Sequence, residues 1–237
     1  MLILGLDTST HAGGLALAEP GKLHAESNLH LSRTHTERLL PGIRQMLEQT
    51  GTRLEQLDAV AVTTGPGSFT GLRIGLATAK TLALVTGKPL VGISTLDVLA
   101  GNLACVDGLV CAILDARRGE VYTACYRRER GADATRVTDY LTLSPGDLVR
   151  RFQEPVFLVG DGVWTYGERL RQESDQEVTL APLELNVPRA SVLCRLGMAV
   201  LARGGAVKPA DLQALYLRPS DAERNRAGGQ ATGVPDS

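Results

Sequence analysis

The segment Gly65-Pro66-Gly67-Ser68-Phe69-Thr70-Gly71-Leu72-Arg73-Ile74-Gly75 leaves the backbone few choices. It follows an apolar run, residues 58–64, that reads as a strand. It opens a second apolar stretch, residues 69–86, that reads as a long helix ending at Gly87. Two glycines and a proline at the junction make a tight turn with its backbone exposed. Ser68 is suited to cap the helix by accepting a backbone N–H. Such a turn either receives an anion at the helix N-terminus or simply reverses the chain. The string is neither GxGxxG nor GxxxxGK[ST], so the usual nucleotide fingerprints do not decide between the two.

The surrounding chain alternates strands and helices. Residues 2–7, 13–18 and 23–29 read as a meander of three strands. Thr34-His35-Thr36-Glu37 has the spacing of a capping box, and Leu39, Leu40, Ile43, Met46 and Leu47 follow at helical spacing to Gly51. Pro41 falls inside that helix and bends it if it lies beyond the first turn. After the strand–turn–helix come a strand at 90–93 and a helix capped by Ser94 or Thr95 that runs through Leu103. The second half repeats the order, with strands at 109–115, 120–126 and 137–141, a helix from Ser144 and a strand at 155–160. The turn Gly160-Asp161-Gly162, a helix near 166–171, a strand at 177–180 and a helix over 189–203 complete it. A strand ending in Asp, then a turn and a second strand, occurs at Asp7 and again at Asp115, which indicates an internal duplication. The expected division is 1–103 and 104–217, with a polar, glycine-rich tail over 218–237 read as disordered.

Composition bounds the function. A chain of 237 residues with 43% hydrophobic and 22% charged content buries a core of its own. No apolar run reaches membrane-spanning length, and Met1–Asp7 reads as a first strand with no basic leader, so the expected location is cytoplasmic. The formal net charge of −1 offers no global attraction for nucleic acid. Arg117-Arg118, Arg127-Arg128 and Arg150-Arg151 are read as solvated pairs, with phosphate contact as the alternative. Cys105, Cys111, Cys125 and Cys194 form no CxxC and are read as reduced thiols, with Cys111 and Cys125 in strand-like runs. His11, His24, His30 and His35 make neither HxxxH nor HExxH and are read as surface histidines. No histidine follows His35, so the hydrolase order with a nucleophilic Ser68 is absent.

The string GPGSFTGLRIGLATAKTLA, together with the opening LGLDTST, resembles the TsaB (YeaZ-type) family. Its members are non-catalytic partners in bacterial synthesis of threonylcarbamoyladenosine on tRNA. The resemblance covers the first hundred residues well and the rest loosely. It implies an α/β fold of two actin-, hexokinase- and acetate-kinase-like βββαβαβα halves with ribonuclease-H-like cores. It also implies a subunit that binds and activates TsaD, with TsaE joining the complex, tRNA reached indirectly, and a homodimer when TsaD is absent. No resident cofactor is implied; ATP or ADP is accommodated only at the interface of the complex.

Candidate site residues divide into two groups. Helices 36–49 and 69–86 would pair with their counterparts in TsaD as a four-helix bundle. The pairing residues would be Leu39, Leu40, Ile43, Met46, Leu47, Leu72, Arg73, Leu76, Ala79, Lys80 and Ala83. The small residues Gly71, Gly75, Ala79 and Ala83, four apart, would admit a close helix. Charge reversal at Arg73 or Leu76→Asp would weaken pairing. The second group is a nucleotide cleft remnant: Asp7, Thr8 and Ser9, Asp115, and the turn Gly160-Asp161-Gly162. Asp7-Thr8-Ser9 and Gly160-Asp161-Gly162 have an ordinary turn as their alternative reading, and Asp115 that of a polar residue ending a buried strand. TsaD carries HxxxH on the helix after its fifth strand, and here Thr95 and Leu99 stand at those places. Neither is a comparable metal ligand, so no metal site and no catalysis are expected. The competing reading is a small-molecule kinase or ATPase of the same superfamily, using Asp7, Asp115 and Gly160-Asp161-Gly162. A third is a stand-alone homodimeric structural protein.

Overall fold

The computed structural model describes residues 1–30 and 35–218. The capping residue Thr34 and the tail beyond Arg218 lie outside the described residues. The first half contains β1 (Ile3–Asp7), β2 (Ala12–Glu19), β3 (Lys22–His30), α1 (His35–Gln49), β4 (Ala59–Gly65), α2 (Phe69–Thr86), β5 (Leu90–Ser94) and α3 (Thr95–Asn102). The second contains β6 (Gly108–Arg117), β7 (Glu120–Arg128), β8 (Thr135–Arg136), β9 (Leu141–Leu143), α4 (Pro145–Val149), β10 (Val156–Val159), α5 (Gly162–Glu173), β11 (Val178–Leu180) and α6 (Ala190–Ala202).

The two sheets have one topology. The first runs β3-β2-β1-β4-β5, and the second runs β11-β10-β6-β7-β8 with β9 also on β7. In each, the first strands form an antiparallel meander, and two further strands add in parallel on the other side of the first strand. The order 3-2-1-4-5 therefore occurs twice, as the repeated Asp-ended strands indicated, and the fold is a duplicated actin-like α/β fold.

Local chemistry sets the element ends. Ser68 caps α2 by accepting from Gly71 N, and Gly87 ends it in the left-handed region at φ 67°. Ser94 and Ser144 cap α3 and α4 in the same way. Pro41 lies in the second turn of α1, where it has no N–H to give the helix ladder. The strand expected at 137–141 is a correction. It divides into β8 and β9, because Arg136 pairs with Tyr126 and Leu141 with Thr123. The four residues between them face only two on β7, so the ladder breaks.

Packing crosses the boundary at 103/104. On the first sheet, Leu4, Leu6, Leu15, Leu17, Val60 and Val62 face α1 and α2. The opposite face is built of smaller residues, including Ala16, Ala18, Ala59 and Ala61, and is covered by α6 from the far end of the chain. Gly5 and Gly197 let α6 lie close: a Cβ at Gly5 would sit 2.7 Å from Cys194 Sγ, and one at Gly197 would sit 3.1 Å from Ala61 Cβ. Conversely, Leu96, Leu99 and Ala100 of α3 pack on the second sheet with Val110, Ala112, Ala124 and Tyr126. Each sheet is thus closed by a helix from across the boundary. Glu26 on β3 fixes α6 by accepting from Ser191 N at 2.9 Å, Ser191 Oγ at 2.8 Å and Arg189 Nη2 at 2.5 Å. After α6 the chain returns to the first half, where Val207 bridges Leu90, Leu212 is buried and Leu215 N donates to Thr64 O.

Candidate functional site

The glycine turn and the Asp7-Thr8-Ser9-Thr10 turn interlock. Thr8 Oγ1 donates to Gly71 O at 2.7 Å, and Ser68 N donates to Ser9 O at 2.7 Å. A Cβ at Gly67 would overlap the Ser9 carbonyl, and one at Gly71 would overlap the Thr8 carbonyl. At Gly75 it would overlap the Thr8 hydroxyl. These glycines therefore accommodate a neighbouring turn of the same chain. This corrects the expectation that Gly71 and Gly75 leave room for an external helix. Two donors at the start of α2, Ser68 N and Gly71 N, are already used internally.

Asp7, Thr8 and Ser9 are fully buried or nearly so. Asp7 Oδ1 accepts from Ser9 N at 3.1 Å, Ser9 Oγ at 2.6 Å and Thr63 Oγ1 at 2.6 Å. These three residues brace the turn from within, and Thr10 and His11 are the part of it that reaches the cleft.

The cleft between the halves has a volume of about 340 Å³. Pro66 to Phe69 line one side, Asp115 to Arg118 and Asp161 the other, and Tyr216 to Arg218 close it. Asp115 and Asp161 are brought together: Asp115 N donates to Asp161 Oδ1 at 2.9 Å. Burial, together with the Asp115 carboxylate, raises the pKa of Asp161. Asp115 Oδ1 accepts from Arg117 N at 2.8 Å, and its Oδ2 lies 3.3 Å from Arg117 Nη1. Arg117 Nη2 donates to His11 Nε2 at 2.7 Å, which joins the two halves at the cleft mouth. Arg218 pairs with Glu120 at 3.0 Å. Gly160, at φ 118°, passes so close to β6 that a Cβ would overlap the Ile113 carbonyl. Among the described residues no cluster of three or more His, Cys, Asp or Glu is placed to hold a metal ion.

A second candidate surface lies on α1 and α2. Seven of the expected pairing residues (Leu39, Ile43, Met46, Leu72, Leu76, Ala79 and Ala83) are buried in the chain's own core, which corrects their assignment to an outer face. Leu40 and Arg73 are exposed, and Leu47 and Lys80 are half-buried. Leu84 and Val85, outside the expected pairing set, are 69% and 76% exposed. Leu40, Leu47, Leu54 and Leu82 line a shallow apolar groove between the helices. The Arg73 guanidinium lies 3.8 Å over the Phe69 ring, which in turn is 5.0 Å from Tyr216. The helical period gave the stripe; which side of a doubly apolar helix faced the sheet was not in the period.

Thr95 and Leu99 are completely buried, and Leu99 packs on the second sheet. Asp97 between them accepts from Tyr126 Oη at 2.8 Å and Tyr140 Oη at 2.9 Å. Burial raises its pKa, and burial beside Asp97 pushes Tyr140 up to about 12. This cluster ties the first-half helix to the second sheet. Two tyrosines within apolar strand patterns were its only sequence signal. Arg128 is another correction, since it is only 2% exposed and not solvated, while Arg127 makes a two-pronged pair with Glu154 at 2.6 Å. His24 is half-buried against Glu19 at 2.9 Å. No helix among the described residues is long and apolar enough to cross a membrane.

The comparisons with known proteins agree with these features. The family model for TsaD, tRNA N6-adenosine threonylcarbamoyltransferase, matches residues 29–156. The tRNA threonylcarbamoyladenosine biosynthesis protein TsaB of Escherichia coli is 34% identical over 96% of this chain and 99% of its own length. The TsaB of Bacillus subtilis is 32% identical over 94% and 96%. The crystal structure of YeaZ from Pseudomonas aeruginosa superposes with a TM-score of 0.79 at 32% identity, covering 91% of this chain and 99% of that one. The interlocked glycine turn, the duplicated sheets and these near-complete alignments agree: the chain belongs to the TsaB family of tRNA threonylcarbamoyladenosine biosynthesis proteins.

Proposed function

We propose that this chain acts in tRNA threonylcarbamoyladenosine synthesis as a non-catalytic subunit that binds and activates TsaD. The observation that carries the reading is the apolar surface on α1 and α2. Leu40, Leu47, Leu54 and Leu82 line the groove, and Leu84 and Val85 are exposed on α2. An apolar strip of this kind on two adjacent helices suits a second helix pair, and the four would pack as a bundle. Pairing stabilises the active conformation of the partner, which transfers threonylcarbamoyl to the adenosine beside the anticodon. TsaE joins the assembled complex, where ATP or ADP is held, and tRNA is reached through the partner. The same surface forms a homodimer when the partner is absent. Thr95 and Leu99, both fully buried where the partner family has HxxxH, support a role without catalysis.

The cleft at Asp115 and Asp161 favours a second reading, an ATPase or small-molecule kinase. One experiment separates the two. tRNA threonylcarbamoylation is measured with purified TsaD and TsaE, with and without this chain, while ATP turnover by the chain alone is recorded. Modification that requires the chain, with no turnover alone, is the expected result. Full modification without it overturns the subunit reading. Turnover alone that is lost in Asp115→Ala establishes the enzyme.

A further inference from the structure

Cys111 and Cys125 stand directly opposite each other on β6 and β7. Their sulfurs are 2.9 Å apart, and both thiols are free. The backbone of Cys125 is turned away from β6: its N–H donates to Thr138 Oγ1 at 2.9 Å, and its carbonyl accepts from Val137 N at 2.9 Å. The two cysteines therefore form a non-hydrogen-bonded antiparallel pair, the type in which Cα atoms approach to about 4.5 Å. That separation lies inside the window of roughly 4.4–6.8 Å that a disulfide spans without backbone movement. Cys111 is sealed in the core, with Thr123 Oγ1 3.2 Å from its sulfur. Cys125 is half-buried and lines a surface depression with Thr138, Leu141, Leu148 and Arg151.

We propose that Cys111 and Cys125 are a reversible dithiol–disulfide site, oxidised by small peroxides that enter through the Cys125 depression. The asymmetry of the pair assigns the roles. The hydrogen bond between the two sulfurs and the nearby Arg151 charge outweigh burial and lower the pKa of Cys125, while the Cys125 contact and burial raise that of Cys111. The Cys125 thiolate attacks one peroxide oxygen; an S–O bond forms, the O–O bond breaks, and hydroxide leaves. Cys125 is now a sulfenic acid, two electrons oxidised, and the peroxide is reduced. The Cys111 sulfur then attacks the Cys125 sulfur. The S–S bond forms, the S–O bond breaks, and the Cys111 thiol proton leaves with that oxygen as water. A thiol reductant reverses the process by exchange.

The test uses the full chain carrying Cys105→Ser, which removes the exposed thiol and leaves the pair intact. The reduced protein is treated with hydrogen peroxide, denatured, and examined by intact mass, thiol titration and peptide mapping. The expected result is a loss of two hydrogens, disappearance of two thiols, a linked peptide joining Cys111 to Cys125, and full recovery with dithiothreitol. With Cys111→Ser, a dimedone-reactive sulfenic acid persists on Cys125; with Cys125→Ser, Cys111 stays reduced. Should either variant fail to fold, the linked peptide in the Cys105→Ser protein decides alone. Unchanged thiols, a sulfinic acid on Cys125 without a link, or a link to Cys194 overturns the proposal.

Discussion

At Gly71 a single hydrogen atom is the difference between a formed turn and a collision. Its α-carbon faces the Thr8 carbonyl, whose residue also donates its hydroxyl to Gly71 O at 2.7 Å. A methyl group there overlaps backbone, which cannot rotate away as a side-chain tip can. Gly71→Ala is expected to cost about 1–3 kcal/mol, read as a lowered urea midpoint with an unchanged slope. The sequence showed glycines at this turn and not their reason. The turn was legible because Gly, Pro and Ser act through their own backbone. The partner was not, because Thr8 lies 63 residues away. The same holds for Asp7: its place at a strand end was legible, and its inward hydrogen bonds to Ser9 and Thr63 were not.

At the scale of elements, two contacts carry separate consequences. Glu26 holds the start of α6 onto β3, where its side chain is 7% exposed. Burial acts to raise its pKa, but bonds from Arg189 and Ser191 outweigh burial, and the net shift is below the ordinary value of 4.5. A depressed carboxylate stabilises the fold fully above its unfolded pKa and less as pH falls through the folded one. Glu26→Gln is expected to lower stability by about 1–2 kcal/mol at pH 7, discounted because Arg189 is partly in water. That deficit should shrink below the ordinary glutamate value in thermal melts across pH. The second contact is the α1–α2 surface. Leu40→Asp and Val85→Asp change exposed side chains, so melting should be preserved while TsaD binding weakens about ten-fold or more in titration calorimetry. Leu76→Asp, by contrast, places a carboxylate in the core at a residue 7% exposed and should unfold the chain. Loss of binding by that variant says nothing about the surface.

For the whole molecule, the halves are interlocked and not merely adjacent. α6 closes the first sheet, α3 the second, and the segment after α6 returns to β4 and β5 through Leu215 and Val207. A chain ending at Gly204 loses the Val207–Leu90 bridge, the buried Leu212 and the Arg218–Glu120 pair. It is expected to lose roughly 2–4 kcal/mol, from burial of one large apolar side chain and its neighbours, in equilibrium denaturation. Residues 1–103 expressed alone would leave the Ala16, Ala18, Ala59 and Ala61 face bare, since its cover comes from α6.

What is local was legible in the chain. The serine caps at 68, 94 and 144, the left-handed Gly87, the strand periods and the repeated Asp-ended strand all arise from interactions within a few residues. They yielded the duplicated order and the family likeness. Tertiary structure alone decided which sheet each helix covers, which side of α1 and α2 meets water, and that Cys111 faces Cys125. The physical reason is that those outcomes rest on contacts between distant segments. Cys194 lies against the Ile3 carbonyl across 191 residues, and no local propensity reports such a contact.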